Sequence, residues 1–194
     1  MIVFDVETSG VNIHQHGILS IGAIDFNNPK NTFYGECRLW MEAKISEESI
    51  KINDLTRESA DDTSKQSEAE LLQSFFDWAS KIEDKTLAGH NPGFDTFFVK
   101  EATERNGLNY PFAHRSIDLH TVAIAHILQK EEDYPREKGR TAVNSDYVMR
   151  MVGIPDEPKP HNALNGALWE AEAFSRLLFK KNLLPQFEEY PITL

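Results

Sequence analysis

The run "MIVFDVETSG" (residues 1–10) begins apolar and β-branched and reads as a strand. "GILSIGAIDF" (17–26) follows a polar loop, and "TFYGECRLW" (32–40) follows the turn-like "NNPKN" (27–31). Short turns between such runs predict an antiparallel meander of three strands. Downstream, "SEAELLQSFFDWASKI" (67–82) places Ser67 and Glu70 in capping-box spacing, and Leu71, Phe75, Trp78, Ala79 and Ile82 form one apolar helical face. "TLAG" (86–89) predicts a short buried strand, and residues 94–107 a helix closed by Gly107. "RSIDLHTVAIAHIL" (115–128) passes from strand to helix near Leu119. The polar stretch 44–66 receives no element, and the charged residues 131–141 read as an exposed loop. A short helix over 142–152 precedes a last helix from about 161 to 181, and the tail 184–194 is irregular. Strands followed by alternating helix and strand predict an α/β fold with a mixed sheet. No repeat or linker divides the chain, so residues 1–194 are expected to form a single domain with nothing appended.

Composition narrows the function. A net charge of −11 excludes a protein that coats nucleic acid non-specifically, because such a surface repels phosphate. It leaves room for an enzyme that grips a few nucleotides through cations. No apolar run approaches the length of a membrane span, so no membrane association is expected. The N-terminus carries two acids within its first seven residues, unlike a secretory signal, and the one cysteine, Cys37, cannot form an internal disulfide. A cytoplasmic setting is the expectation.

Chemistry is suggested first by Asp5 and Glu7. Residues two apart on a strand share a face, so both carboxylates project together. Like charges at close range raise each other's cost, and a divalent cation is the simplest relief; oxygen donors of this kind suit Mg2+ or Mn2+. The alternative is a strand end at the solvent edge with both acids hydrated. Asp95 follows the turn Asn91-Pro92-Gly93 and stands in the first turn of a helix, where an acid is also favoured simply by the helix dipole. His161 precedes the last helix. Within that helix, "HNALNGALWEAEAF" (161–174), Gly166 interrupts an otherwise regular apolar pattern, at a cost of about 0.5–1 kcal/mol relative to alanine.

Taken in order, "FDVETSG" (4–10), "GHNPGFD" (89–95) and "HNALNGALWEAEAF" (161–174) resemble the three motifs of the DEDDh-class 3′–5′ exonucleases. This superfamily includes the polymerase proofreading subunit, ribonuclease T and oligoribonuclease. The resemblance runs from residue 2 to about 180, and "IKINDLT" (50–56) and "SIDLHTVA" (116–123) match further shared stretches. It implies a ribonuclease H-like fold, the mixed sheet being flanked by helices, and stepwise release of nucleotides from single-stranded 3′ ends, with DNA favoured over RNA. It implies two divalent ions, Mg2+ or Mn2+, that activate a water and stabilise the leaving oxygen. By position, Asp5, Glu7 and Asp95 are the metal ligands and His161 the general base, a task suited to the ordinary histidine pKa near about 6.5. Thr8, Ser9, Asn91 and Phe94 would meet the terminal nucleotide. A homodimer and an association with a polymerase or other nucleic-acid enzyme are further possibilities within the family.

One motif acid is missing. The third motif calls for an aspartate five residues after the histidine, and Gly166 stands there. The resemblance therefore implies an exonuclease with one metal weakened or lost and activity reduced. Asn162 and Glu170 share the helix face of position 166, but a glutamate one turn away must bend back about 5–6 Å. The alternative is an inactive module on the same fold that binds nucleic acid or docks a partner. The three retained acids and His161 favour the enzyme; Gly166 favours the module.

Overall fold

The computed structural model describes residues 1–52 and 56–194. Part of the 50–56 resemblance falls outside them. The meander is present as β1 (Ile2–Thr8), β2 (Ile18–Asp25) and β3 (Thr32–Glu36), and β4 (Leu87–Gly89) and β5 (Ser116–Asp118) extend the sheet in parallel, in the order β3-β2-β1-β4-β5. Helices α1 (Glu47–Ile52) and α2 (Arg57–Ala60) occupy the polar stretch that suggested no element. They are only six and four residues long, so they leave no apolar period to read. α3 (Glu68–Ser80) has the expected capping box, with Ser67 accepting from the Glu70 amide and donating its own amide to the Glu70 carboxylate. α4 (Gly93–Arg105), α5 (Leu119–Gln129), α6 (Ser145–Val152) and α7 (Ala163–Phe179) complete the helices. The stretch 131–141 is not wholly a loop: Arg136–Glu137 (β6) and Arg140–Thr141 (β7) form a small exposed hairpin. No helix among the described residues is long and apolar enough to cross a membrane.

Alternation along β1 divides the core. Ile2, Phe4 and Val6 face the cluster built on Phe75 and Phe98 of α3 and α4, whereas Val3 faces the cluster built on α5, α6 and α7. Asp5 and Glu7 share the face of Val3, which is the face covered by α7. Because β2 is buried along its whole length, helices cover both faces of the sheet.

Two glycines decide how closely α7 lies on that sheet. A Cβ at Gly22 of β2 would stand 2.1 Å from the Ala163 carbonyl carbon and 2.2 Å from the Leu164 amide nitrogen. Gly22 is paired with Asp5 across the strands. A Cβ at Gly166 would stand 2.5 Å from Asp5 Oδ2 and 3.3 Å from Asp5 Cβ. Gly166 thus lets the helix pass directly over the Asp5 carboxylate, which offsets its poor helix propensity. Gly22→Ala is expected to cost about 1–3 kcal/mol through overpacking against helix backbone, read as a lower urea midpoint at unchanged m-value.

Candidate active site

The site lies where β1 and β4 part. The two strands pair only at Ile2–Leu87 and Val3–Ala88, and beyond that point the Val6 amide donates to Asp95 Oδ1 at 3.1 Å. A crevice at the carboxyl ends of parallel strands is where α/β folds place ligands. β1 supplies Asp5 and Glu7, the first turn of α4 supplies Asp95, and the approach to α7 supplies His161. Asn162 caps α7, accepting from the Leu164 and Asn165 amides, so His161 sits just outside the helix. Its Nδ1 lies 3.4 Å from Glu157 Oε2.

The acids are buried against one another. Asp5, Glu7, Glu157, His161, Gly166 and Glu170 line one cavity of about 220 Å3. Burial first, then the charges of Asp95, Glu170, Glu7 and Glu157, hold the Asp5 carboxyl well above its ordinary range. Burial, with Glu157 and Asp95, raises Glu7 to about 7. Asp95 also reaches about 7 through burial, although backbone amides including that of Val6 oppose the shift. Glu170 is raised well above its usual value by burial and then by Asp95. Glu157 is raised by burial, against the Asn162 amide and His161.

Among the described residues no three histidine, cysteine or acidic side chains already stand at ligand spacing; Asp5, Glu7, Glu157 and Glu170 share a cavity rather than a point, and Asp95 lies behind its lining, held by the Val6 amide. The donor set nevertheless fits a hard divalent cation. It consists of carboxylate oxygens, mutually repelling, and one of them, Glu170 Oε2, is buried without a hydrogen-bond partner.

The remaining expected residues separate. Thr8 and Phe94 line a cleft of about 200 Å3 that adjoins Glu7. Ser9 is completely buried: its amide donates to the Gly17 carbonyl, its carbonyl accepts from the Ser46 amide, and its hydroxyl donates to the Lys44 carbonyl. It fastens the loop after β1 and presents nothing to a strand in this conformation, contrary to the expectation of a nucleotide contact. Asn91 adopts φ 56°, donates its amide to Asp118 Oδ1 and lines a different cavity, with His90 and His120. Glu157 escaped sequence reading because "GIPDEPKP" (153–160) looks like a solvated proline-rich connection. Its place four residues before His161 was the available signal. Arg136, close in sequence to the site helices, pairs with Asp133 at 2.8 Å and stacks on Tyr134, so it is a solvated hairpin residue.

A family model, RNase T, described as exonuclease, matches residues 2–174. The chain belongs to this exonuclease family. Ribonuclease T of Yersinia pseudotuberculosis serotype O:1b (strain IP 31758) is 26% identical over 195 residues, a match covering 91% of this chain and 83% of that protein. The PolC-type DNA polymerase III of Thermotoga maritima is 25% identical over 178 residues, which is 91% of this chain and 12% of the polymerase. The chain spans 7% and 12% of the two PolC-type relatives it matches. Among solved structures, the nuclease domain of 3′hExo, a DEDDh family member bound to rAMP, superposes with a TM-score of 0.70 at 17% identity, covering 94% of this chain and 93% of that one. The fold of this exonuclease-family member is thus the ribonuclease H-like mixed sheet of the DEDDh class, as its motif order implied.

Proposed function

We propose that residues 1–194 form one 3′–5′ exonuclease domain that releases nucleotides from single-stranded 3′ ends, weakened by Gly166. The observation that carries this reading is the buried set of acids in the β1–β4 crevice with His161 at its edge. Asp5, Glu7 and Asp95 would hold Mg2+ or Mn2+, two ions where all four motif acids are present and one of them held less firmly here. When bound, such ions neutralise the phosphate, lower the pKa of a water and stabilise the departing 3′ oxygen.

The chain's own groups supply the rest. His161, one-third exposed, would take the proton of the attacking water. Glu157 at Nδ1 orients the ring and stabilises it once protonated, so that Nε2 is left for the water. The cleft at Thr8 and Phe94 offers an aromatic ring to a terminal base next to Glu7. Similarity to DNA polymerases supports DNA as the preferred strand and association with a polymerase as a setting for the domain. A narrow crevice supports a single strand. The second reading, an inactive binding or docking module, is favoured by Gly166 alone.

Digestion of 5′-labelled single-stranded DNA and RNA by this chain and by Gly166→Asp, with Mg2+ or Mn2+, separates the two. Slow shortening from the 3′ end, faster on DNA and faster still in the Gly166→Asp variant once Asp5 has swung aside, supports the enzyme. Binding without cutting by either form supports the module.

A further inference from the structure

Gly166 leaves the third motif one acid short, yet α7 still sends an acid into the site. Glu170 stands one turn further along the helix, about 6 Å by helical rise, and is only 6% exposed. Its Oε2 atom is buried with no hydrogen-bond partner among the described residues. That atom lies 3.3 Å from where a Cβ on Gly89 would stand, and the same point is 2.9 Å from the Phe4 carbonyl oxygen. Glu170 therefore reaches across the crevice to the junction of β1 and β4, beside the root of Asp5. It lines one cavity with Asp5, Glu7 and Gly166.

Nothing among the described residues satisfies this atom. An ionised Glu170 is favoured by the His90 amide but faces Asp5 and Asp95 with like charge, and its Oε2 has no partner. A buried polar atom left unpaired keeps its full desolvation penalty, and a cation bound between the acids removes both penalties at once. The close pass of Gly166 over Asp5 also matters. Asp5 Oδ2 fills the space a side chain at 166 would take, so the acid that can share a cation with Asp5 comes from the next turn.

We propose that Glu170 replaces the acid missing at position 166 and completes, with Asp5 and Asp95, a divalent-cation site displaced one turn along α7. The proposal rests on the metal-centre reading given above. A glutamate arm from the next turn holds an ion less rigidly than the motif aspartate. Mg2+ demands near-ideal octahedral geometry, so the displaced site favours Mn2+.

The test is calorimetric titration of the full chain with MnCl2, alongside thermal melting, for the wild type, Asp5→Asn, Glu170→Gln and Glu157→Gln. Glu170→Gln keeps the side chain's shape and removes a repelled charge, so the metal-free variant should fold and melt higher than wild type at pH 8. Its Mn2+ affinity should fall about 10–100-fold or more, since ligand-supporting residues alone are worth that much, and the Mn2+-induced rise in melting temperature should vanish. Glu157→Gln removes the same charge from the same cavity without removing a proposed ligand, so it should lose clearly less Mn2+ affinity than Glu170→Gln. Wild-type affinity in Glu170→Gln, with binding lost in Asp5→Asn, overturns the Glu170 site and leaves the metal centre standing. Equal losses in Glu170→Gln and Glu157→Gln also overturn it, because general negative charge would then be the cause. No Mn2+ binding by the wild type overturns the metal centre and the proposal together.

Discussion

Arg176→Ala is expected to destabilise the protein by about 3–5 kcal/mol, the cost of leaving a buried charge without its partner. Arg176 and Glu172 are both fully buried inside α7 and joined by an Nε–Oε1 contact of 2.7 Å. The guanidinium also donates to the carbonyls of Val152, Phe187, Tyr190 and Pro191, while Glu172 Oε2 accepts the amides of Leu183 and Leu184. One ion pair thus ties α6, α7 and the C-terminal tail together by satisfying their backbone groups. Removing the arginine leaves the Glu172 side chain in the core without its guanidinium partner and takes a donor from the Val152, Tyr190 and Pro191 carbonyls, so losses exceed those of an ordinary surface pair. Chemical denaturation of the purified variant, followed by circular dichroism, should show a large drop in midpoint; a change under about 1 kcal/mol would mean the knot contributes little. Because α7 carries Gly166 and Glu170, the variant should also lose activity in proportion to its unfolded fraction.

Asp5→Asn should abolish activity and yet stabilise the metal-free protein at pH 8. The aspartate is surrounded by Asp95, Glu170, Glu7 and Glu157, and its ionised form is disfavoured by burial as well. The same physics gives the wild type a pH dependence whose sign can be worked out. Glu7 and Asp95 titrate near 7 in the folded protein, above their ordinary values of 4.5 and 3.8. Between those limits the folded state binds more protons than the unfolded state, so stability falls as pH rises. The metal-free protein should therefore melt at a higher temperature at pH 5 than at pH 8, by about 2–4 °C for each kcal/mol of relief. Mn2+ should reverse much of the loss at pH 8 in the wild type and none of it in Asp5→Asn. A flat melting profile between pH 5 and 8 would show that the acids do not repel one another as described.

Much of this was legible from particular residues. Asp5 and Glu7 could be put on one face of β1 by alternation alone, and the Ser67–Glu70 spacing marked the start of α3. What escaped has physical causes. Glu170 could be put on the face of position 166, but the burial of Glu172 and Arg176 could not be read from a helix that looks amphipathic, with its charges toward water. In the structure α7 is covered by the sheet, by α5 and α6, and by the tail, so charged positions on what periodicity assigns to solvent are buried. No single-helix pattern reports how many sides are covered. The hairpin β6–β7 turns at Lys138 and Gly139, both at positive φ, a two-residue turn signal that the surrounding charge obscured. Gly166 is legible as a break in the apolar pattern of its helix. Its packing reason, the approach to Asp5, depends on Gly22 and β1 meeting α7 at one point, which lies beyond any local pattern.

The most direct measurement is digestion of 5′-labelled single-stranded DNA by the wild type and by Asp5→Asn, with Mn2+ and with chelator. The expected result is slow, one-nucleotide shortening from the 3′ end by the wild type with Mn2+ only, and none by Asp5→Asn under any condition. Equal digestion by both forms, or digestion in the presence of chelator, would contradict it.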